Sequence, residues 1–204
     1  NVIYDRSHTA ISLAAPDEYS FDAALKGVTW VHITGITPSI SENAYQSTLA
    51  LAQQAKAEGA TVSCDLNFRK KLWRWQPGTE PKALAQACMG KILPFVDVVI
   101  GNEEDAADVL DIHAEGTEVE AGQINAAAYE QVARSIVDRF PTVSRVAITL
   151  RESISASHNN WGAMLFDREA DRAFLAPLSE TGDYEPYQIR DIVDRVGGGD
   201  SFGA

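Results

Sequence analysis

Residues Trp30 to Leu66 read WVHITGITPSISENAYQSTLALAQQAKAEGATVSCDL, and this stretch decides the fold class. Trp30-Val31-His32-Ile33-Thr34 is an apolar, β-branched run of strand length. Ser39-Ile40-Ser41-Glu42 has the spacing of a capping box, in which a hydroxyl takes up a free N–H of the first helical turn and a carboxylate returns the bond. A helix from about Glu42 to Glu58 follows and closes at Gly59, which adopts the left-handed terminal conformation without steric cost. Thr61 to Leu66 is a second apolar run. A strand, a helix and a strand joined over this length make a crossover, and a crossover implies parallel strands.

The same unit recurs downstream. Pro81 stands in the first turn of a helix running to about Leu93, and Val96 to Ile100 is a strand. Asn102 caps a short helix with Glu103, Glu104 and Asp105 in its first turn, where the helix dipole favours carboxylates. Helix Asn125 to Arg139 and strand Arg145 to Leu150 complete the alternation. It predicts an α/β fold, a layered, mostly parallel central sheet flanked by helices, with ligands at the carboxyl edge of the strands. Trp161 to Phe166 and Arg172 to Ala176 read as a β-hairpin pair. Val2 to Tyr4 and Ile11 to Leu13 read as two strands of a small β lid within residues 1–15, and Asp111 to Gly122 as an acidic loop. The 204 residues are expected to form one domain. The strand-like start at Asn1 without Met, and the stop at Ala204 where a helix should begin, suggest a chain that continues at both ends.

Composition narrows the partners. Twenty-nine acidic against 17 basic side chains give a formal charge of −12, which repels nucleic acid and anionic membrane. An anion is therefore expected only in a local site. No apolar run approaches the ~18 residues of a membrane span. Cys64 and Cys88 fit neither a zinc spacing nor a disulfide framework and read as buried thiols of a cytoplasmic protein.

The chemistry concentrates in Asp194-Arg195-Val196-Gly197-Gly198-Gly199-Asp200-Ser201-Phe202-Gly203-Ala204. Three glycines leave backbone N–H groups unshielded, and a following helix would add its positive end, which together make an anion site. A carboxylate there suits a base that takes a proton from an attacking hydroxyl. The alternative is a plain tight turn with Asp200 as a helix cap, and the residues alone leave both open. No Lys-Ser or Lys-Thr follows the glycines, so this is not a Walker A loop.

The string resembles the C-terminal signature of the ribokinase-like (PfkB) carbohydrate kinases, Asp-Thr-x-Gly-Ala-Gly-Asp-x-Phe. It matches at Asp194, Gly197, Gly199, Asp200 and Phe202, with Arg195 in the Thr place and Gly198 in the Ala place. The resemblance runs from Val2 to Ala204 and implies a ribokinase-like fold, ATP and Mg2+ as cofactors, Asp200 as catalytic base, and Gly197, Gly198 and Gly199 as the anion hole and ATP-binding turn. Asn102-Glu103-Glu104-Asp105 resembles the family's Asn-x-x-Glu motif, which acts on Mg2+ and phosphate through water. That implies such roles for Asn102 and Asp105, with Asp in place of Glu.

Tyr4-Asp5-Arg6 and Asp65-Leu66-Asn67-Phe68-Arg69 resemble the 2-keto-3-deoxygluconate kinases within that family. The resemblance implies Tyr4, Arg6 and Arg69 as contacts to a sugar acid, 2-keto-3-deoxygluconate foremost, phosphorylated on its terminal hydroxyl. It also implies a homo-oligomer formed through the lid. A guanidinium fork suits a carboxylate. The alternative is a solvated basic face, with Lys70, Lys71 and Arg74 around Trp73 and Trp75. After Leu150 the run Arg151-Glu152-Ser153-Ile154-Ser155 departs from the family's Gly-rich turn, and His158, Asn159 and Asn160 read as loop. Two rivals stand beside the sugar-acid kinase: a kinase of a neutral ketose such as fructose, and a catalytically silent sugar-acid sensor of the same fold.

Overall fold

A computed structural model describes residues 5–113, 126–194 and 196–203. Two short helices, α1 (Ala10–Leu13) and α2 (Phe21–Ala24), lead into strand β1 (Trp30–Thr34). There follow α3 (Ile36–Ile40), α4 (Glu42–Ala57), β2 (Thr61–Asp65), α5 (Pro81–Ile92), β3 (Val98–Gly101), α6 (Glu103–Leu110) and α7 (Ala126–Arg139). The remainder is β4 (Arg145–Ser155), β5 (His158–Asp167), β6 (Arg172–Ala176), β7 (Tyr187–Ile189) and α8 (Gly198–Gly203).

The strands form one mixed sheet in the order β1-β2-β3-β4-β5-β6, with β7 on β5. Strands β1 to β4 run parallel, as the crossover spacing requires, and β4, β5 and β6 run antiparallel. Helix α4 packs on β1 and β2, α7 packs on β4 and β5, and α5 and α6 pack against one another between them. Ile33, Val62, Cys64, Val99, Val146 and Ile148 are buried and belong to the same apolar core as Ala52, Leu84, Met89, Val132 and Ile136 of these helices. Both cysteines lie in this core, and burial raises both thiols, Cys88 to about 11, which makes them unreactive.

Several expectations are corrected. Ile11–Leu13 is not a strand. It lies in α1, because the Ser12 and Leu13 carbonyls accept Ser41 Oγ (2.8 Å) and Asn43 Nδ2 (2.6 Å) at the start of α4 instead of pairing with a strand. The cap of α4 is Ser41, whose Oγ accepts from Ala44 N at 3.0 Å, and Ser39 bonds inside α3 to Ile36 O. Strand β4 does not end at Leu150 but runs to Ser155, and His158, Asn159 and Asn160 are strand β5, paired with it across the turn. Trp73 is 1% exposed and Trp75 stacks on Tyr45 with its indole N–H on Pro38 O at 3.1 Å. Trp73 is core and Trp75 is half-buried against it, which removes the basic-aromatic surface. Val2–Tyr4, Arg195 and most of the Asp111–Gly122 loop lie outside the described residues, within which no helix is long and apolar enough to cross a membrane.

The carboxyl ends of β1, β2 and β3 are fastened together by backbone bonds. Gly35 N donates to Asp65 O at 2.8 Å and Leu66 N donates to Ile100 O at 2.9 Å. A Cβ on Gly35 would stand 2.0 Å from Leu66 O, so this crossing admits only glycine. Gly35→Ala is expected to cost on the order of 2–3 kcal/mol. Gly90→Ala, inside α5 with open space at the Cβ position, is expected to stabilise by about 0.5–1 kcal/mol. Urea unfolding of the two variants measures both, and equal effects would contradict the close approach at Gly35.

Candidate active site

Parallel register places His32 beside Ser63 and Thr34 beside Asp65, with Asp65 beside Ile100, so their side chains share one sheet face at the carboxyl edge. Ser63 Oγ accepts the Trp30 indole N–H at 2.9 Å and lies 2.9 Å from His32 Nδ1, to which its hydroxyl can donate. Helix α8 lies over this face: a Cβ on Gly203 would come within 3.8 Å of Ile100 Cδ1 and 4.0 Å of His32 Cε1. The helix separates two cavities. The smaller, about 500 Å3, is lined by His32, Thr34, Asp65, Asn67 and Asp200 among others. The larger, about 770 Å3, is lined by Arg69, Asn102, Thr149, Arg151, Gly198 and Gly199 among others.

The turn that enters α8 is built locally. Asp194 Oδ1 accepts Val196 N at 2.9 Å, Gly197 takes φ +80° where a side chain would be strained, and Ser201 N and Oγ both bond Gly197 O at 2.8 Å. Consecutive residues of one turn then face different cavities, Gly198 and Gly199 the larger and Asp200 the smaller.

Two carboxylates, Asp65 and Asp105, and the Arg69 guanidinium interact beneath it. Asp105 is 9% exposed, and its oxygens accept Phe68 N at 2.9 Å and Asn102 N at 3.3 Å, while Asn102 Oδ1 accepts Asp105 N at 2.7 Å. Burial raises the Asp105 carboxyl, opposed by those two N–H groups and by Arg69. Asp65 is raised to about 6, first by burial and then by Asp105, against the Asn67 N–H and Arg69, with Asp200 adding to the rise. Asn67 holds φ +37° in this turn, which sends Phe68 back to Asp105 and Arg69 out to the cavity wall.

The sequence-predicted residues thus divide. Asp200 faces the smaller cavity; Gly198, Gly199, Asn102 and Arg69 face the larger; Gly197 makes the turn between them. Asp105 lines neither and fixes Asn102 and Phe68, and Arg6 is exposed and lines neither. Tyr4 lies outside the described residues. Missed from sequence were Asp65, visible as the strand-end acid of Asp-x-Asn, and Thr149, Arg151 and Ser153. Those three alternate along β4 with the period of two that marks one sheet face.

No family model matches the chain. It is 38% identical over 112 residues to a 2-dehydro-3-deoxygalactonokinase of Haloferax volcanii, an alignment covering 55% of this chain and 33% of that one. A crystal structure of 2-dehydro-3-deoxygluconokinase from Thermotoga maritima superposes over 100% of this chain and 55% of its own, with TM-score 0.82 and 37% identity. In sequence and fold the chain is similar to the ribokinase-like (PfkB) carbohydrate kinase family. A PfkB family carbohydrate kinase from Listeria grayi covers 100% of it and 54% of its own length, with TM-score 0.77 and 28% identity. The mixed seven-stranded sheet flanked by helices is the fold of that family. The chain spans about half the length of these solved relatives, and its matched part a third of the Haloferax protein.

A carboxyl whose folded-state value lies above its ordinary one holds its proton more tightly in the folded protein. The Asp65 contribution to stability therefore falls as pH rises from about 4 to about 6 and stays unfavourable above that. Asp65→Asn, which keeps a carbonyl for the Asn67 N–H, is expected to raise the melting temperature at about pH 7.5 and to leave it unchanged near pH 4. Calorimetry at both pH values checks this, and an equal shift at both would contradict it.

Proposed function

We propose that this chain carries the catalytic part of an ATP-dependent kinase that phosphorylates the terminal hydroxyl of a 2-keto-3-deoxy sugar acid. The observation that carries the proposal is the division at α8: one turn presents glycine backbone to the larger cavity and the Asp200 carboxylate to the smaller. A kinase needs that arrangement, with a phosphoryl donor on one side, an acceptor hydroxyl on the other and the base at the boundary.

In this mechanism the sugar acid occupies the smaller cavity with its terminal hydroxyl toward Asp200. Asp200 accepts the hydroxyl proton as the oxygen attacks the terminal phosphorus of ATP, whose bond to the bridging oxygen breaks to release ADP. The backbone N–H groups of Gly197, Gly198 and Gly199 stabilise the charge on the transferring phosphoryl group. Arg69 lines the larger cavity but acts on Asp65 at the wall of the smaller one, and from that boundary it would reach the substrate carboxylate, with Arg6 and Tyr4 as the further contacts that the family resemblance implies.

Among the described residues no three His, Cys, Asp or Glu side chains cluster to hold a metal. That fits Mg2+ carried by the nucleotide phosphates and water, which needs few protein ligands. Asn102, on the larger cavity, would meet its hydration shell, and Asp105 would position Asn102. The ion would offset negative charge on the phosphates.

The names of the similar proteins favour a 2-keto-3-deoxy acid of gluco or galacto configuration over a neutral ketose. The test is ATP consumption by the full-length protein with 2-keto-3-deoxygluconate, 2-keto-3-deoxygalactonate, fructose and ribose. The keto-deoxy acids are expected to be turned over preferentially. Asp200→Asn is expected to lower kcat by about 10²–10⁴-fold with the fold intact. Arg69→Ala is expected to raise KM for the acid with little change in kcat. Turnover of neutral sugars alone would overturn the substrate class, and full activity of Asp200→Asn would overturn the base.

A further inference from the structure

Strand β4 outruns its parallel neighbour: its last residue paired with β3 is Ile148, opposite Gly101, and residues 149–155 continue past the sheet edge, paired only with β5. This extension forms one wall of the larger cavity, through Thr149, Arg151 and Ser153, with Asn159 and Trp161 from β5. Arg151 lies directly opposite Trp161 in the pairing, and Ser153 opposite Asn159.

Asn159 is 3% exposed. With its amide oxygen toward Arg151, Asn159 Oδ1 accepts from Arg151 Nε at 3.2 Å and its Nδ2 donates to His158 O at 3.0 Å. A buried amide satisfied on both sides grips Arg151 at Nε, the inner nitrogen of the guanidinium. The two terminal nitrogens, which form the fork suited to phosphate, are left to the exposed end of the side chain, on the wall of a cavity that also contains Gly198 and Gly199.

We infer that Arg151, oriented by the buried Asn159, binds the phosphate chain of the nucleotide in the larger cavity. The inference rests on the kinase proposal, because it takes the donor to lie on the glycine side of α8. Phosphate is favoured over the sugar-acid carboxylate for two reasons. Arg151 shares its cavity with the glycines and not with Asp200, and the larger volume is on its side. The cavity also holds the carboxylates Glu104 and Asp194, so a polyphosphate entering it needs a cation on this wall, which Arg151 supplies.

The experiment is titration calorimetry of the full-length protein with MgATP, MgADP and adenosine, alongside steady-state kinetics. Arg151→Ala, at an exposed position, is expected to weaken MgATP and MgADP about tenfold or more and to leave adenosine binding and KM for the sugar acid unchanged. Arg151→Lys, which keeps the charge without the fork, is expected to recover part of the loss. Unchanged MgATP affinity in Arg151→Ala, or an equal loss for adenosine, would overturn the inference while a turning-over wild type leaves the kinase proposal standing. A wild-type protein that neither binds nor consumes ATP would overturn both.

Discussion

The site hangs on one buried carboxylate. Asp105, at the third position of α6, ties the N-terminus of that helix to the turn after β2 by accepting Asn102 N and Phe68 N together. A carboxylate this far from water is tolerated only when hydrogen bonds replace its hydration, and the backbone supplies two. The result is that the β2 turn, carrying Asp65 and Asn67 on one side and Arg69 on the other, is held against the start of α6 and its cap Asn102. The Gly35 to Asp65 bond extends the same fastening to β1. Elements from three crossovers thus present their polar ends as one rigid edge, which is where ligands of such sheets bind.

This edge also sorts the charges of an acidic protein. Asp105 and Asp200 both act on the partly buried Asp65, and Arg69 is the cation that opposes the rise of Asp65 and Asp105. An anionic substrate can approach such a cluster only along a path lined by cations or by bare backbone N–H groups. The glycine turn into α8 and the arginines of the larger cavity supply both.

The parallel half of the fold was legible because each crossover is written locally. Strand runs of β-branched residues alternate with helices opened by Ser41, Pro81 or Asn102, and Gly59 closes one of them. Asp200 and its glycines stand out through a long motif, and they lie between the two cavities. The extension of β4 was not: Arg151 to Ser155 is polar and mostly exposed, so its strand character comes from pairing with β5 rather than from any apolar pattern. Ile11–Leu13 failed the other way, since apolar alternation over three residues carries no information about whether a neighbouring strand exists. Trp73 and Trp75 sit among basic residues, which is what makes a solvated face the alternative there, yet the chain buries Trp73, packs Trp75 against the core and leaves the charges outside.

The central claim is that α8 separates a donor cavity from an acceptor cavity with Asp200 at the boundary. A crystal structure of the full-length protein with a non-hydrolysable ATP analogue, Mg2+ and 2-keto-3-deoxygluconate tests it most directly. The terminal phosphate is expected against the Gly198 and Gly199 N–H groups, with the sugar's terminal hydroxyl within about 2.6–3.2 Å of an Asp200 carboxylate oxygen. A sugar acid bound on the Arg151 side of α8, or an Asp200 carboxylate turned away from the bound hydroxyl, would contradict the claim.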